Sequence, residues 1–76
     1  MEEFLRYVVG SLIDNPEEMT LTRVDGPHKS AFHLKLRQSD IGRVIGRQGR
    51  TIEALRALLT ASASRHGQKA LLYIEE

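Results

Sequence analysis

The stretch Val44-Ile45-Gly46-Arg47-Gln48-Gly49-Arg50-Thr51-Ile52 sets two glycines around two polar residues, with apolar residues on both flanks. Glycine permits backbone conformations and close approaches that a Cβ forbids, so a phosphate chain could come within hydrogen-bonding reach of this loop's amides. A helix is expected to begin right after the loop, its unpaired amides and partial positive charge pointing at the same spot, and Arg47 and Arg50 add full charges with several donors each. Every component suits a phosphate.

Working outward, Ser39 or Asp40 is placed to cap a short helix over residues 41 to 45. Beyond the loop, Ile52, Leu55, Leu59, Ala63 and His66 fall on one face of a longer helix, and Gly67 stands where a C-terminal cap is expected. Phe32, Leu34 and Leu36 alternate with His33, Lys35 and Arg37 as in a half-buried strand; Met19 and Leu21 alternate with Thr20 and Thr22 before the turn residues Asp25-Gly26-Pro27. These two runs predict an antiparallel hairpin. Phe4, Leu5, Val8, Val9, Leu12 and Ile13 recur at helical spacing, with Glu2 and Glu3 in the first turn and a stop expected near Asn15, before Pro16. Ala70, Leu72 and Ile74 alternate with Leu71 and Tyr73 in a closing strand. The predicted order is α-β-β-α-α-β, an α+β two-layer sandwich with the helices on one face of a three-stranded sheet, in a single domain over residues 1 to 76.

Ile-Gly-x-x-Gly-x-x-Ile, read from Ile45 to Ile52 behind a short helix, resembles the signature of the KH family, and a helix and two strands before it with one strand after resembles the type II arrangement. The acidic first helix ending Asp14-Asn15-Pro16, together with the run from Ile41 to Ile52, is similar to the small bacterial RNA-binding members of that family. The resemblance implies binding of single-stranded RNA in the cytoplasm, in a post-transcriptional regulator or RNA chaperone. Gly46, Arg47, Gln48 and Gly49 would clamp the sugar-phosphate backbone, in the way KH loops hold about four nucleotides, with Arg43 and Arg50 as flanking cations. Ile41, Val44 and Ile45 would border an apolar groove for bases, closed on its other side by the edge of the second strand near Leu34 to Arg37. Ile41 reads equally as core, core packing is the favoured reading for Val44 and Ile45, and Lys35 and Arg37 read either as groove cations or as the wet face of a strand. The resemblance also implies a protein partner, either a second copy or a larger KH-containing protein.

Charge is divided along the chain in the same sense. Residues 1 to 18 carry Glu2, Glu3, Asp14, Glu17 and Glu18 against Arg6 alone, whereas residues 41 to 56 carry Arg43, Arg47, Arg50 and Arg56 against Glu53 alone, so an anionic partner is expected at the second segment. A content of 41% hydrophobic and 28% charged residues describes a folded chain. With Phe4, Tyr7, Phe32 and Tyr73 as its only aromatics, it has little for base stacking.

Other chemistries find no support. The absence of cysteine removes disulfides and thiolate chemistry; His28, His33 and His66 lack metal-ligand spacing; and the acids lie mostly in the first helix, the segment after it, and residues 75 and 76. Neither a P-loop, which needs a lysine and a longer glycine spacing, nor a Gly-x-Gly dinucleotide fingerprint is present. No enzyme activity and no cofactor are expected, and with no apolar run or basic leader the chain reads as soluble and untargeted. A DNA-reading helix-turn-helix is disfavoured because the first helix of the pair is so short. A protein-interaction role is the stronger rival. Ala54, Ala57, Leu58 and Ala61 form a second apolar stripe on the long helix, which either meets the first helix or is a dimer surface.

Overall fold

The computed structural model describes all of residues 1 to 76. Helix α1 (Glu2–Leu12) is followed by a 3₁₀ turn (Pro16–Glu18), strands β1 (Thr20–Asp25) and β2 (Lys29–Lys35), helix α2 (Gln38–Ile45), a second 3₁₀ turn (Arg47–Gly49), helix α3 (Arg50–Ser64) and strand β3 (Lys69–Glu75). The order is the one the hydrophobic periodicities predict.

The sheet runs β1-β2-β3. β1 and β2 pair antiparallel, Leu21 opposite Leu34 and Arg23 opposite Phe32, around a turn closed by the Gly26 amide donating to the Lys29 carbonyl at 2.7 Å. β3 pairs parallel with β2, Leu72 beside Phe32 and Ile74 beside Leu34. Parallel neighbours cannot be joined by a tight turn and need a crossover of a dozen or more residues. Helices α2 and α3, with the loop between them, are that crossover, so the geometry of the loop depends on both helices docking against the sheet.

One face of the sheet is covered. Phe32, Leu34 and Leu36 meet Leu5, Val9 and Ile13 of the α1 segment, Val44 of α2, Ile52, Leu55 and Leu59 of α3, and Leu21 and Leu72 of the flanking strands in a single core. Burying each such Leu, Ile or Phe side chain contributes about 1.5–3 kcal/mol, the main term holding a domain of this size together. The other face is open. There the His33 and Tyr73 rings stack with centroids 5.0 Å apart, and His33 Nδ1 lies 2.6 Å from Glu75 Oε1.

Several local expectations need correction. β2 begins at Lys29 and β1 runs on to Asp25, so the hairpin is longer than the alternating runs suggested. Helix α1 stops at Leu12 rather than near Asn15: Ile13 is extended, and the Asp14 and Asn15 amides turn away to a partner on α2. His66 is exposed in the turn beyond α3 and does not continue the Ile52–Ala63 face. Gly67 does take the left-handed conformation of a helix stop, with φ +67°. No helix is long and apolar enough to cross a membrane.

Candidate nucleic-acid interface

Three of the four residues from Gly46 to Gly49 have positive φ: Gly46 at +79°, Gln48 at +57° and Gly49 at +73°. The bend is held from within, by the Gly46 amide donating to Gly42 O at 2.9 Å and the Gly49 amide donating to Gly46 O at 3.2 Å. The two glycines have different reasons to be there. A Cβ on Gly46 would run into Thr51, 2.7 Å from its Cβ and 3.0 Å from its backbone nitrogen and closer still to its hydroxyl, so the loop is pressed against the first turn of α3. A Cβ on Gly49 would meet nothing within 4 Å and would project into open space. Gln48 is a non-glycine residue in the left-handed region, an uncommon conformation that the closure on both sides imposes.

Gly49 is the N-cap of α3, and no side chain caps that end. The helix therefore offers first-turn donors and its positive pole to whatever lies over the loop. Arg47 and Arg50 are exposed and belong to no ion pair; Arg50 Nη2 donates to Gln48 Oε1 at 3.1 Å, which lays its guanidinium along the loop.

The other candidate cations stand differently. Arg43 pairs with Asp14 at 3.0 Å, and Arg37 pairs with Glu18 at 3.1 Å while also donating to Asn15 Oδ1 at 3.4 Å, so the acidic segment after α1 already engages both. Lys35 shares a sheet face with His33, turned away from the helices, because the alternation that buries Leu34 and Leu36 sends it to the open side. Among the apolar candidates, Val44 is wholly buried and shapes the surface from beneath without lining it. Ile41 is half-buried against the core, and Ile45 is 37% exposed beside the loop.

The expected strand edge also moves. β2 is paired on both sides and has no free edge, because β3 returns beside it in parallel. The free edge facing α3 belongs to β3. Between them runs a trough of about 380 Å³ bordered by Arg56 and Thr60 of α3 and Leu71, Leu72 and Tyr73 of β3. It continues past Thr60 and Ala70 to Ser64, Gln68 and Lys69. Arg56 Nη2 crosses it to donate to the Leu72 carbonyl at 3.1 Å. Sequence reasoning counted Arg56 in the basic segment but gave it no role. An arginine on the flank of a helix that must pack on an apolar strand was the available signal.

Asp40 was expected as a helix cap, but α2 starts earlier, at Gln38, and the carboxylate is buried for another purpose. It accepts from the Asp14 amide (3.1 Å), the Asn15 amide (3.0 Å) and Asn15 Nδ2 (3.1 Å). Burial disfavours its charged form, but these hydrogen bonds, helped by the field of Arg43, prevail and hold the carboxyl below its usual range. The end of α1 is thereby fastened to the helix that leads into the loop.

The second apolar stripe of α3 does not pack under α1. Ala54, Ala57 and Ala61 are exposed, as is Leu58 at 55%, which lines a small hollow with Phe4 and Met1.

Residues 2–74 match the family model described as the KH domain of KhpA/KhpB. The chain is 46% identical over 76 residues to the RNA-binding protein KhpA of Chlamydia trachomatis serovar D, the alignment covering all of this chain and 97% of that protein. It is 43% identical over 76 residues to the RNA-binding protein KhpA of Chlamydia pneumoniae, covering 100% and 97% of the two chains, and 38% identical over 76 residues to that of Streptococcus pneumoniae serotype 4, covering 100% and 95%. No solved structure matches it.

Proposed function

The chain belongs to the KhpA/KhpB family of KH domains, and from that premise we propose that it is a single KH domain that binds single-stranded RNA without catalysis, as a cytoplasmic post-transcriptional regulator or RNA chaperone. The observation that carries this reading is the bent loop over the uncapped start of α3, with Arg47 and Arg50 unpaired beside it. A phosphate at that spot meets backbone donors, a helix positive pole and two guanidinium groups together. Bases of the bound strand lie past Ile45 and along the trough between α3 and β3, where Arg56 and the edge of β3 supply polar groups. The surface is too narrow and too bent for a duplex.

The exposed stripe of α3 favours a second, compatible reading. Ala54, Ala57, Leu58 and Ala61 form a face on which a second copy or a larger, KhpB-like KH protein docks, and two linked domains hold an RNA more tightly than one.

Arg47→Asp with Gln48→Asp tests the RNA reading. Both side chains are exposed, and Asp is among the residues that tolerate the left-handed conformation of position 48, so the fold is retained. Fluorescence anisotropy with a short single-stranded RNA should show most binding lost. A folded double variant that binds like the wild type would reduce the loop to a structural turn.

A further inference from the structure

The open face of the sheet is chemically one-sided. Alternation along the strands sends His33 and Lys35 of β2 and Lys69, Tyr73 and Glu75 of β3 to it, away from the helices. Lys35 and Lys69 are exposed and belong to no ion pair. Lys29, the ladder partner of Lys69, adds a third positive charge, but its stem lies back over Gly26, 3.5 Å from where a Cβ on that glycine would stand. Glu75 is the acid that β2 and β3 place on this face, and His33 already engages it at 2.6 Å.

The His33 and Tyr73 rings, register partners on neighbouring strands, stack with centroids 5.0 Å apart and planes 22° apart. Glu75 fixes the imidazole, so the pair is arranged before any ligand arrives. Stacking occupies one face of each ring. Tyr73 remains 46% exposed because β3 is an edge strand with no neighbour beyond it. Lys69 begins the seven residues of β3 and Lys35 lies beside the last, Glu75, so the two free cations are about 20 Å apart with the rings between them.

A partner for this face has to be anionic and has to offer flat π-surfaces. A second copy presenting the same face would set lysine against lysine, and an apolar partner surface would bury the lysines unpaired. A nucleotide chain meets both demands, with phosphates for the lysines and bases for the rings.

We propose that the open face of the sheet is a second surface for single-stranded RNA, where a base stacks on the His33–Tyr73 pair and Lys35 and Lys69 take phosphates on either side of it. The inference rests on the reading of the chain as an RNA binder. The surface lies across the sheet from α2, α3 and the loop between them, and shares none of the loop's residues.

The test measures binding of a single-stranded RNA of about twelve nucleotides by fluorescence anisotropy across a salt series, for the wild type and three variants. His33→Ala/Tyr73→Ala should bind about tenfold more weakly with the slope of log K against log salt unchanged, because stacking is lost and no phosphate contact is. Lys35→Gln/Lys69→Gln should also bind more weakly, with a slope shallower by about 1.4, about 0.7 for each of two lost contacts. Arg47→Asp/Gln48→Asp reports on the loop separately. Melting followed by circular dichroism checks each fold, and the lysine variant, changed only at exposed positions, keeps the test decisive if the ring variant melts early. Ring and lysine variants that both bind like the wild type, with the same slope, overturn the second surface; loss of binding in the loop variant then leaves the loop reading intact. A loop variant that binds like the wild type while the face variants do not overturns the loop reading and keeps the face. A wild type that binds no RNA overturns both. Cosedimentation of the wild type with phosphatidylserine vesicles, lost in the lysine variant while its RNA binding is untouched, assigns the face to an anionic lipid surface and overturns the proposal.

Discussion

Replacing each glycine of the loop by alanine should separate what holds the bend from what the bend leaves open. At Gly46 (φ +79°, ψ 174°) the backbone is in a region essentially reserved for glycine, where another residue costs of order 1–3 kcal/mol. The new methyl must also displace Thr51, whose Cβ and backbone nitrogen would lie at 2.7 and 3.0 Å. No side-chain rotation moves those atoms, so an overpacking cost of about 1–3 kcal/mol is added. Reduced freedom of the unfolded chain returns about 0.4–1 kcal/mol, leaving a net loss of about 3 kcal/mol. At Gly49 (φ +73°, ψ 12°) space is open, and the left-handed cost of about 1–2 kcal/mol is partly offset in the same way, to a net of about 1 kcal/mol. For a domain of this size each kcal/mol shifts the midpoint by about 4–8 °C. Thermal melts followed by circular dichroism should show Gly49→Ala a few degrees below wild type and Gly46→Ala at least 10 °C below it by about the same scale. Gly49→Ala should nevertheless weaken RNA binding at least tenfold by about 1.4 kcal/mol or more, because its methyl occupies the approach to the α3 amides. Equal melting shifts for the two variants would refute the distinction between a packed glycine and an open one.

Asp40→Asn should flatten the acid limb of stability. Because the folded carboxyl titrates below its unfolded value of about 3.9, its contribution is present above that pH and is lost as pH falls through the folded pKa; melting between pH 7 and pH 3 checks the slope. Ala61→Glu should leave the fold intact, since the side chain is exposed, and should convert any dimer formed through α3 to monomer in sedimentation velocity. Arg56→Gln should remain folded, with affinity for single-stranded RNA reduced in fluorescence anisotropy, because the trough loses a polar group that faces the bases.

Where structure follows from neighbours in sequence, the chain was readable. Element order, the inward face of Phe32, Leu34 and Leu36, the stop at Gly67 and the glycine-bracketed loop all come from periodicity and turn chemistry. What was missed depends on segments far apart in the chain. That β3 returns parallel beside β2, making the latter central and moving the free edge to Leu72, is a matter of pairing between strands separated by two helices, which alternation within each strand leaves open. Asp40 reads locally as a cap, yet its partners are Asp14 and Asn15, and the same segment takes up Arg37 and Arg43. The pairing of Lys29 with Lys69 was invisible for the same reason.

The parallel return of β3 also governs the order in which a newly made chain becomes competent. During synthesis at about 5–20 residues per second, the β1–β2 hairpin and the glycine loop leave the ribosome well before Lys69–Glu75 does. Until then one side of β2 carries unpaired amides and carbonyls, a template for another strand. The hairpin can form early, and local hydrogen bonds can shape the bend, but the far end of the crossover is fastened only when β3 arrives. A nascent chain therefore emerges with Arg47 and Arg50 displayed on a crossover whose docking to the sheet is completed only by its last strand.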